Sequence, residues 1–552
     1  MPFKKELIIV LFLSTISFLF ELLSLGVFIP IIKIIQSPQG LNEIPLLTTY
    51  FPEIATFNKF NLLLFFIKLI FIIYCIKSII NISLSILNAT VASKIDTYLS
   101  VKIFNSIIEM PYEYHSKKNT SSFISTIINE VHQFSELLKY VLIFLVEISV
   151  FIGILLVLII YDPVSTILII FFGGIFFVLM RRITKSRLIS WGSERQKFQD
   201  LMYKNLKEGL NSIIYIKLKK IENYFIGTFK DSIISRNIYT TRQYAFSNMP
   251  RQILELASIF LLGMIVYINI FFGYDKFENL ILTLTFYTIA LSRILPSINR
   301  IITSYNFILY SEVVLDRVYK EARLNESYVS PEKISSITKF IDKIQLNNVS
   351  FKYIGNENPT LKNINLTIKK NEIHGISGDS GSGKTTLVNV LLGLLKPFDG
   401  EISIDGVEIN KDFSFNKIVG YVPQKTLILD DSLKNNIVFG SNPNEIDLNW
   451  IKECLNLVEL KGFYESLDKG LETILGEDGS KISGGQKQRI GLARALYSKP
   501  EIIVLDEATN ALDNKTESLI LKTVVKLNNK ITFIIISHDD KVLNICNKIF
   551  KI

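Results

Sequence analysis

His374-Gly-Ile-Ser-Gly-Asp-Ser-Gly-Ser-Gly-Lys-Thr-Thr386 decides the fold of the C-terminal part of this chain. From Gly378 to Thr385 it fits the pattern G-x-x-x-x-G-K-[ST]. Glycines let the backbone turn tightly enough for its N–H groups to converge on phosphate oxygens, and a following helix adds its positive N-terminal end. The context suits this reading. Glu372 to Ser377 reads as a strand, and Thr385 to Leu395 as a helix. Lys384 is expected to reach the outer phosphates of a nucleotide, and the Thr385 hydroxyl to bind Mg²⁺. Gly378, Asp379, Ser380, Gly381, Ser382, Gly383 and Thr386 complete the expected cradle.

A second segment, Ile502-Ile-Val-Leu-Asp506-Glu507, is an apolar run ending in two carboxylates. An acidic side chain at the C-terminal end of a buried strand suits a Mg²⁺ ligand, which assigns Asp506 to the metal. Glu507 beside it is placed to polarise an attacking water.

The composition divides the 552 residues in two. Hydrophobic residues make up 49 % and the mean hydropathy is +0.34, high for a soluble chain. Long apolar runs fill the first 310 residues, and the rest reads as mixed α/β. A spanning helix needs about 20 mostly apolar residues. Six stretches qualify: about 7–32, 60–88, 138–160, 164–182, 251–272 and 279–302. Tyr161-Asp162-Pro163 and Gly273 to Phe277 are expected external turns. The N-terminal run is longer than a signal-peptide core and no small-residue cleavage site follows, so it is expected to be a retained first helix. The segments 89–137 and 183–250 are polar and poor in Gly and Pro, which predicts helices continuing beyond the bilayer as stalks.

The net charge of +9 is distributed as in a membrane protein. Between Arg181 and Pro250 there are 14 Lys/Arg against 5 Asp/Glu, whereas residues 34–58 hold no Lys or Arg. That asymmetry follows the positive-inside pattern and argues against nucleic acid as a partner. Cys75, Cys454 and Cys546 have no metal-site spacing and suggest no disulfide framework.

At Ile482-Ser483-Gly484-Gly485-Gln486 the chain resembles the ABC transporters, whose signature has Leu in place of Ile482. The resemblance runs the length of the chain. It implies an all-α six-helix transmembrane domain of the type I exporter kind (1–310), a connector (311–340) and an α/β P-loop nucleotide-binding domain (341–552). It also implies that Ser483, Gly484, Gly485 and Gln486 cap a nucleotide held by a second subunit. The chain then works as a dimer, and a homodimer is expected. Tyr353 matches the aromatic that stacks on adenine. Gln424 matches the glutamine that contacts Mg²⁺ and water, Asp513 the D-loop aspartate, and His538 the switch histidine. ATP and Mg²⁺ are the implied cofactors, with Glu507, His538 and Gln424 as catalytic residues. One spanning half followed by one ATPase half implies export or flipping, with the ATPase on the cytoplasmic side of a bacterial inner membrane.

The load has to be read from the spans, where ionisable residues are costly and mark function. Lys77, Arg251, Arg293 and Arg300 are the expected substrate contacts, and Arg293 and Arg300 lie seven apart on one helix face. Glu21, Glu147 and Glu255 are expected to neutralise part of this charge by pairing, Glu255 one turn from Arg251, and the basic cavity that remains suits an anionic headgroup. Leu295 to Tyr305, Met249-Pro-Arg251 and Tyr215 to Lys219 resemble segments of PglK-type flippases, which move lipid-linked oligosaccharides. That resemblance matches Arg251, Arg293 and Arg300 with family arginines and puts Lys77 in place of a fourth. The alternative is an exporter of peptides, drugs or another lipid, which shares every ATPase motif. An interfacial segment within Gln36 to Phe57 is a further possibility.

Overall fold

The structure, a computed structural model, describes residues 3–28, 30–31, 34, 59–161, 163–272, 277–324, 335–353, 355–379, 381–409, 413–415, 418–508 and 512–552. The expected loop Gln36 to Phe57, most of the connector, the turn at Gly273 and the loop residue Ser380 lie outside the described residues. The chain forms two compact units, Met1–Met110 with Lys117–Tyr328, and Pro111–Ser116 with Val329–Ile552.

The first unit is helical. Its long members are α1 (Lys4–Gly26), α2 (Lys59–Ile108), α3 (Val131–Tyr161), α4 (Pro163–Asn211), α5 (Glu222–Phe272) and α6 (Phe277–Tyr310). A shorter helix, α7 (Glu312–Ala322), follows. Among the described residues, three helical stretches are long and apolar enough to cross a membrane: Lys4–Gly26, Phe60–Ile108 and Thr120–Ile160. The runs 164–182, 251–272 and 279–302 fall on α4, α5 and α6. At 50, 49 and 51 residues, α2, α4 and α5 far exceed the roughly 20 that a bilayer requires. The polar segments therefore continue these helices, as expected for stalks. The continuation is broken at two places. α2 stops before Pro111, whose ring cannot continue a helix, and Lys220 adopts φ 52° after Ile213–Lys219. Leu25, Ile154, Leu158, Phe286 and Ile294 form a buried cluster in this unit, while Ile8, Phe12, Phe71 and Phe260 remain exposed, as lipid-facing side chains do.

Pro250 lies inside α5, so the Phe246 carbonyl loses its intrahelical donor. Asn306 Nδ2 on α6, 1 % exposed, donates to that carbonyl at 3.4 Å. Another close approach needs a glycine. A Cβ at Gly192 of α4 would sit 2.1 Å from the Tyr310 carbonyl oxygen at the end of α6. No other residue allows the two backbones to meet there.

In the second unit, a five-stranded parallel sheet has the order β11-β4-β10-β9-β8. Its strands are β4 (Ile373–Ser377), β8 (Val419–Val422), β9 (Ile502–Asp506), β10 (Thr532–Ile536) and β11 (Lys548–Lys551). An antiparallel sheet has the order β3-β2-β5-β6, built from β2 (Lys343–Phe351), β3 (Leu361–Lys369), β5 (Asp399–Ile404) and β6 (Val407–Ile409). A short parallel pair joins β1 (Ser335–Ile337) and β7 (Phe413–Phe415). The β9 and β10 side chains alternate between two cores. Ile503, Leu505, Phe533 and Ile535 face one side, Ile502, Val504, Ile534 and Ile536 the other. Helix α8 (Lys384–Leu391) contributes Leu387, Val388 and Leu391 to one core. Helix α9 (Gly484–Tyr497) contributes Ile490, Ala493 and Leu496 to the other. Helices thus cover both faces of a parallel sheet, which explains its near-continuous hydrophobic strands.

Candidate functional site

The ladder registers align the C-terminal ends of four strands. Ile536 pairs with both Ile376 and Asp506, and Val422 with Leu505. Each strand therefore delivers its following residues to the same edge, where ligands bind in open α/β sheets. β4 delivers Gly378 to Thr385, β8 delivers Gln424, β9 delivers Asp506 and Glu507, and β10 delivers His538.

Five of the expected residues meet there directly. Gln424 Nε2 donates to Glu507 Oε2 at 2.6 Å, and His538 Nδ1 lies 3.7 Å from Glu507 Oε1. Thr385 Oγ1 donates to Asp506 Oδ2 at 3.5 Å. Glu507 holds φ 48°, a left-handed conformation that costs a non-glycine residue on the order of 1–3 kcal/mol. Its backbone N–H donates to the Ile536 carbonyl at 3.0 Å, which fixes that conformation. The strain points the carboxylate at the strand edge rather than into the sheet.

The loop itself is prepared for anions. Lys384 Nζ donates to the carbonyls of Gly378 and Asp379 at 2.8 and 2.9 Å, so the ammonium is folded over the loop. Gly383 holds φ 100° directly before α8, a conformation that favours glycine. Among the described residues the buried Ser382 hydroxyl has no hydrogen-bond partner, an uncompensated group that a phosphate oxygen would satisfy. The Tyr353 hydroxyl pairs with Thr386 Oγ1 at 3.2 Å, and the Tyr353 ring stands edge-on to Phe351. The Thr385 hydroxyl, Asp506 carboxylate and Gln424 amide are hard donors of the kind Mg²⁺ takes together with substrate phosphates. Burial lifts the Asp506 carboxyl above its ordinary range, and hydrogen bonding from Tyr421 opposes the shift. The Tyr421 hydroxyl donates to Asp506 Oδ2 at 3.1 Å, and burial beside that carboxylate pushes its own ionisation upward. The sequence reading missed Tyr421. Its signal was a phenol within a strand otherwise made of Val and Gly, three residues before Gln424.

The signature residues stand apart from this cluster. Ser483 caps α9 through a reciprocal box: its Oγ accepts from the Gln486 N–H at 3.2 Å, and Gln486 Oε1 accepts from the Ser483 N–H at 2.8 Å. Ser483 and Gly484 are exposed. Among the described residues no hydrogen bond joins Ser483, Gly484, Gly485 or Gln486 to the phosphate loop of the same chain. Asp513 caps the helix α10 (Asn514–Leu527) by accepting from Thr516 N–H at 3.1 Å, and that hydrogen bonding holds its carboxyl below the usual range.

In the helical unit, three of the four expected cations line one cavity of about 490 Å³: Lys77, Arg293 and Arg300. Its walls come from α1, α2, α3 and α6. Arg251 lies elsewhere. It is exposed on α5 and forms an i,i+4 pair with Glu255 at 3.0 Å. The carboxylates expected to neutralise part of this charge are also found paired with it. Glu21 pairs with Lys77, and Glu147 Oε1 lies 2.9 Å from Arg300 Nη1. The Ser297 hydroxyl donates to Glu147 Oε2 at 2.8 Å. Arg293 sits over the Tyr74 ring, 4.9 Å from its centroid, a cation–π contact. Ser17, Asn81 and Asn88 add neutral polar groups to the walls.

Comparison with known proteins agrees with the fold. Residues 7–294, more than half of the chain, match the family model "ABC transporter transmembrane region", and residues 361–510 match "ABC transporter". The chain belongs to the ABC transporter family. It is an exporter-type member, with a transmembrane domain followed by a nucleotide-binding domain that binds ATP and couples ATP hydrolysis to transport. An ATP-dependent lipid A-core flippase of Ralstonia nicotianae is 27 % identical over 81 % of this chain and 76 % of that protein. The chloroplastic ABC transporter B family member 29 of Arabidopsis thaliana is 34 % identical over 45 % of this chain, and that match spans only 40 % of the relative. The solved structure of a bacterial Atm1-family ABC exporter with ATP bound superposes with a TM-score of 0.81 at 17 % identity, covering 100 % of this chain and 93 % of that one. That exporter fold accounts for the order of helices and sheets described above.

Proposed function

We propose that the protein is one half of an ATP-driven flippase that moves an anionic, lipid-linked oligosaccharide from the inner to the outer leaflet of a bacterial inner membrane. The observation that carries the reading is the polar cavity, which gathers Lys77, Arg293 and Arg300 among segments otherwise apolar enough to span a bilayer. Ionisable side chains there face a pathway rather than lipid. Guanidinium groups suit phosphate or pyrophosphate oxygens, and the Ser and Asn side chains suit sugar hydroxyls. A lipid A-core flippase among the relatives supports lipid flipping as the class of transport.

The working unit in this reading is a pair of half-transporters, most simply two copies of this chain. Ser483, Gly484, Gly485, Gln486 and Asp513 of each copy then complete the nucleotide site of the other, in keeping with their separation from their own phosphate loop. Lys384 and the loop amides hold the phosphates, and Tyr353 flanks the base. Thr385, Asp506 and Gln424 would hold Mg²⁺, which would supply neutralisation of the charge on the phosphates. Glu507 orients and deprotonates the attacking water, and His538 steadies the developing charge. The ATPase half then lies in the cytoplasm.

The deciding experiment is ATP-dependent translocation of a fluorescent lipid-linked oligosaccharide by the purified chain in proteoliposomes. Active ATPase without translocation would sink the reading. A second load class, hydrophobic drugs, peptides or another lipid, is favoured by a different feature. An apolar groove of about 550 Å³ lies between α3, α4, α5 and α6, with Phe144, Phe172, Phe177 and Phe260 on its walls. Stimulation of ATPase by hydrophobic cations but not by anionic lipids would select it.

A further inference from the structure

We infer that Glu147 and Glu21 are specificity-determining residues that compete with the load for the cavity cations, so that binding and release proceed by exchange of ion-pair partners. The inference rests on the reading of the load as anionic. It assigns a role to the two carboxylates that line the same cavity.

The cavity carries Lys77, Lys139, Arg293 and Arg300, and two carboxylates, Glu21 and Glu147. Three of those cations already have an acidic partner: Lys77 has Glu21, Arg300 has Glu147, and Lys139 has Glu136 at 3.2 Å. Among the described residues no carboxylate lies within ion-pair distance of Arg293, which rests on the Tyr74 ring. The cations are therefore not equivalent. Arg293 is the cavity cation that an arriving anion can bind without displacing a carboxylate. The anion gains Arg300 and Lys77 only by displacing Glu147 and Glu21.

The geometry gives the displaced carboxylate a place to stay. Glu147 is nearly buried, with its side chain 9 % exposed, whereas that of Arg300 is 59 % exposed. Arg300 can therefore swing while Glu147 remains. Ser297 holds the second carboxylate oxygen, Oε2, one turn before Arg300 on the same helix. Leaving a buried charge without its partner is costly, so Glu147 pulls Arg300 back whenever the anion is loosely held. A carboxylate competing at the site weakens anion binding and speeds release, as a flippase requires. A cavity with unopposed cations would bind its load and keep it. Neutral polar loads gain nothing from the exchange, so the carboxylates also tune specificity by charge.

Glu147→Gln keeps the shape and a hydrogen-bonding oxygen but removes the competing charge. The purified full chain in phosphatidylcholine vesicles is titrated with polyprenyl pyrophosphate, and separately with phosphatidylglycerol, while ATPase stimulation is followed. The expected result for Glu147→Gln is a half-saturating lipid concentration at least threefold lower, with a lower maximal rate. Glu21→Gln shifts the same way, and Glu208→Gln, in an exposed stalk pair with Lys204, does not shift. In an Arg300→Ala background the Glu147→Gln shift disappears, because the pair no longer exists. An unchanged or raised half-saturation in Glu147→Gln, or a shift that survives Arg300→Ala, overturns the inference. If the shift appears with phosphatidylglycerol but polyprenyl pyrophosphate does not stimulate, partner exchange stands and the oligosaccharide reading fails. If neither lipid stimulates the unaltered chain, both fall.

Discussion

Asp506 is 5 % exposed, and its charged form is disfavoured by burial. It is retained because a strand-end carboxylate beside Thr385 suits a cation that folding alone does not supply. The sign of the linkage follows from the direction of the shift. A carboxyl whose folded pKa exceeds its unfolded value binds its proton more tightly when folded, so its contribution becomes more stabilising as pH falls through the folded pKa. Asp506→Asn is therefore expected to raise the melting temperature of the nucleotide-free protein near neutral pH, to weaken its pH dependence on the acid side, and to abolish hydrolysis. A lower melting temperature would show that the Tyr421 and Thr385 hydrogen bonds outweigh the desolvation. Glu507→Gln tests the neighbouring group. General bases contribute about 10²–10⁴-fold, so kcat should fall in that range while ATP affinity, measured by equilibrium binding, stays within a few fold. An unchanged kcat would remove Glu507 from the chemistry. Asp506 and Glu507 were legible from the apolar strand that ends in them, and Gln424 and His538 from the resemblance to ABC transporters. Tyr421 was not, since no spacing rule links a phenol on one strand to a carboxylate on another.

Element lengths were readable from apolar runs and the scarcity of Gly and Pro, but how the elements fasten to each other was not. One side chain ties helix α7 to several elements at once. Arg317 donates to Asp200 Oδ1 and Oδ2 at 3.1 and 2.9 Å, to Thr126 Oγ1 at 2.9 Å, and to the Ser122 carbonyl and hydroxyl at 3.1 and 3.0 Å. It thereby ties α7 to α4 and to a π-helical turn, Thr126–Glu130. A guanidinium satisfies that fork and an ammonium does not. Sequence gives no warning, because the partners lie more than 100 positions away. Hydrogen bonds to charged groups contribute about 1.5–3 kcal/mol, so Arg317→Ala should destabilise the protein by about 2 kcal/mol, with Arg317→Lys recovering only part. Thermal unfolding in detergent measures both. Equal stability of the Lys variant and the parent would show that charge alone suffices.

At the scale of the whole molecule, the division into a helical unit and an α/β unit was visible in composition, and the stalks in the length of the polar segments. Which carboxylate opposes which cation in the membrane cavity was not. Counting charges along the sequence gave Lys77, Arg251, Arg293 and Arg300, the Arg251–Glu255 turn, and Glu21 and Glu147 as carboxylates able to pair, but only folding shows that Glu21 takes Lys77 and Glu147 takes Arg300. This changes what substitution of the arginines should do. Arg293 has no opposing carboxylate among the described residues, so Arg293→Ala removes attraction for the load and leaves no stranded charge. Arg300→Ala removes attraction and also leaves Glu147 buried without its ion-pair partner. Both variants should lower lipid translocation in proteoliposomes more than basal ATPase, since neither residue belongs to the nucleotide unit. Arg300→Ala should in addition lower the melting temperature, while Arg293→Ala leaves it within a degree or two. Adding Glu147→Gln to Arg300→Ala should restore stability but not translocation. Recovery of translocation in that double variant would mean that Arg300 serves the fold rather than the load.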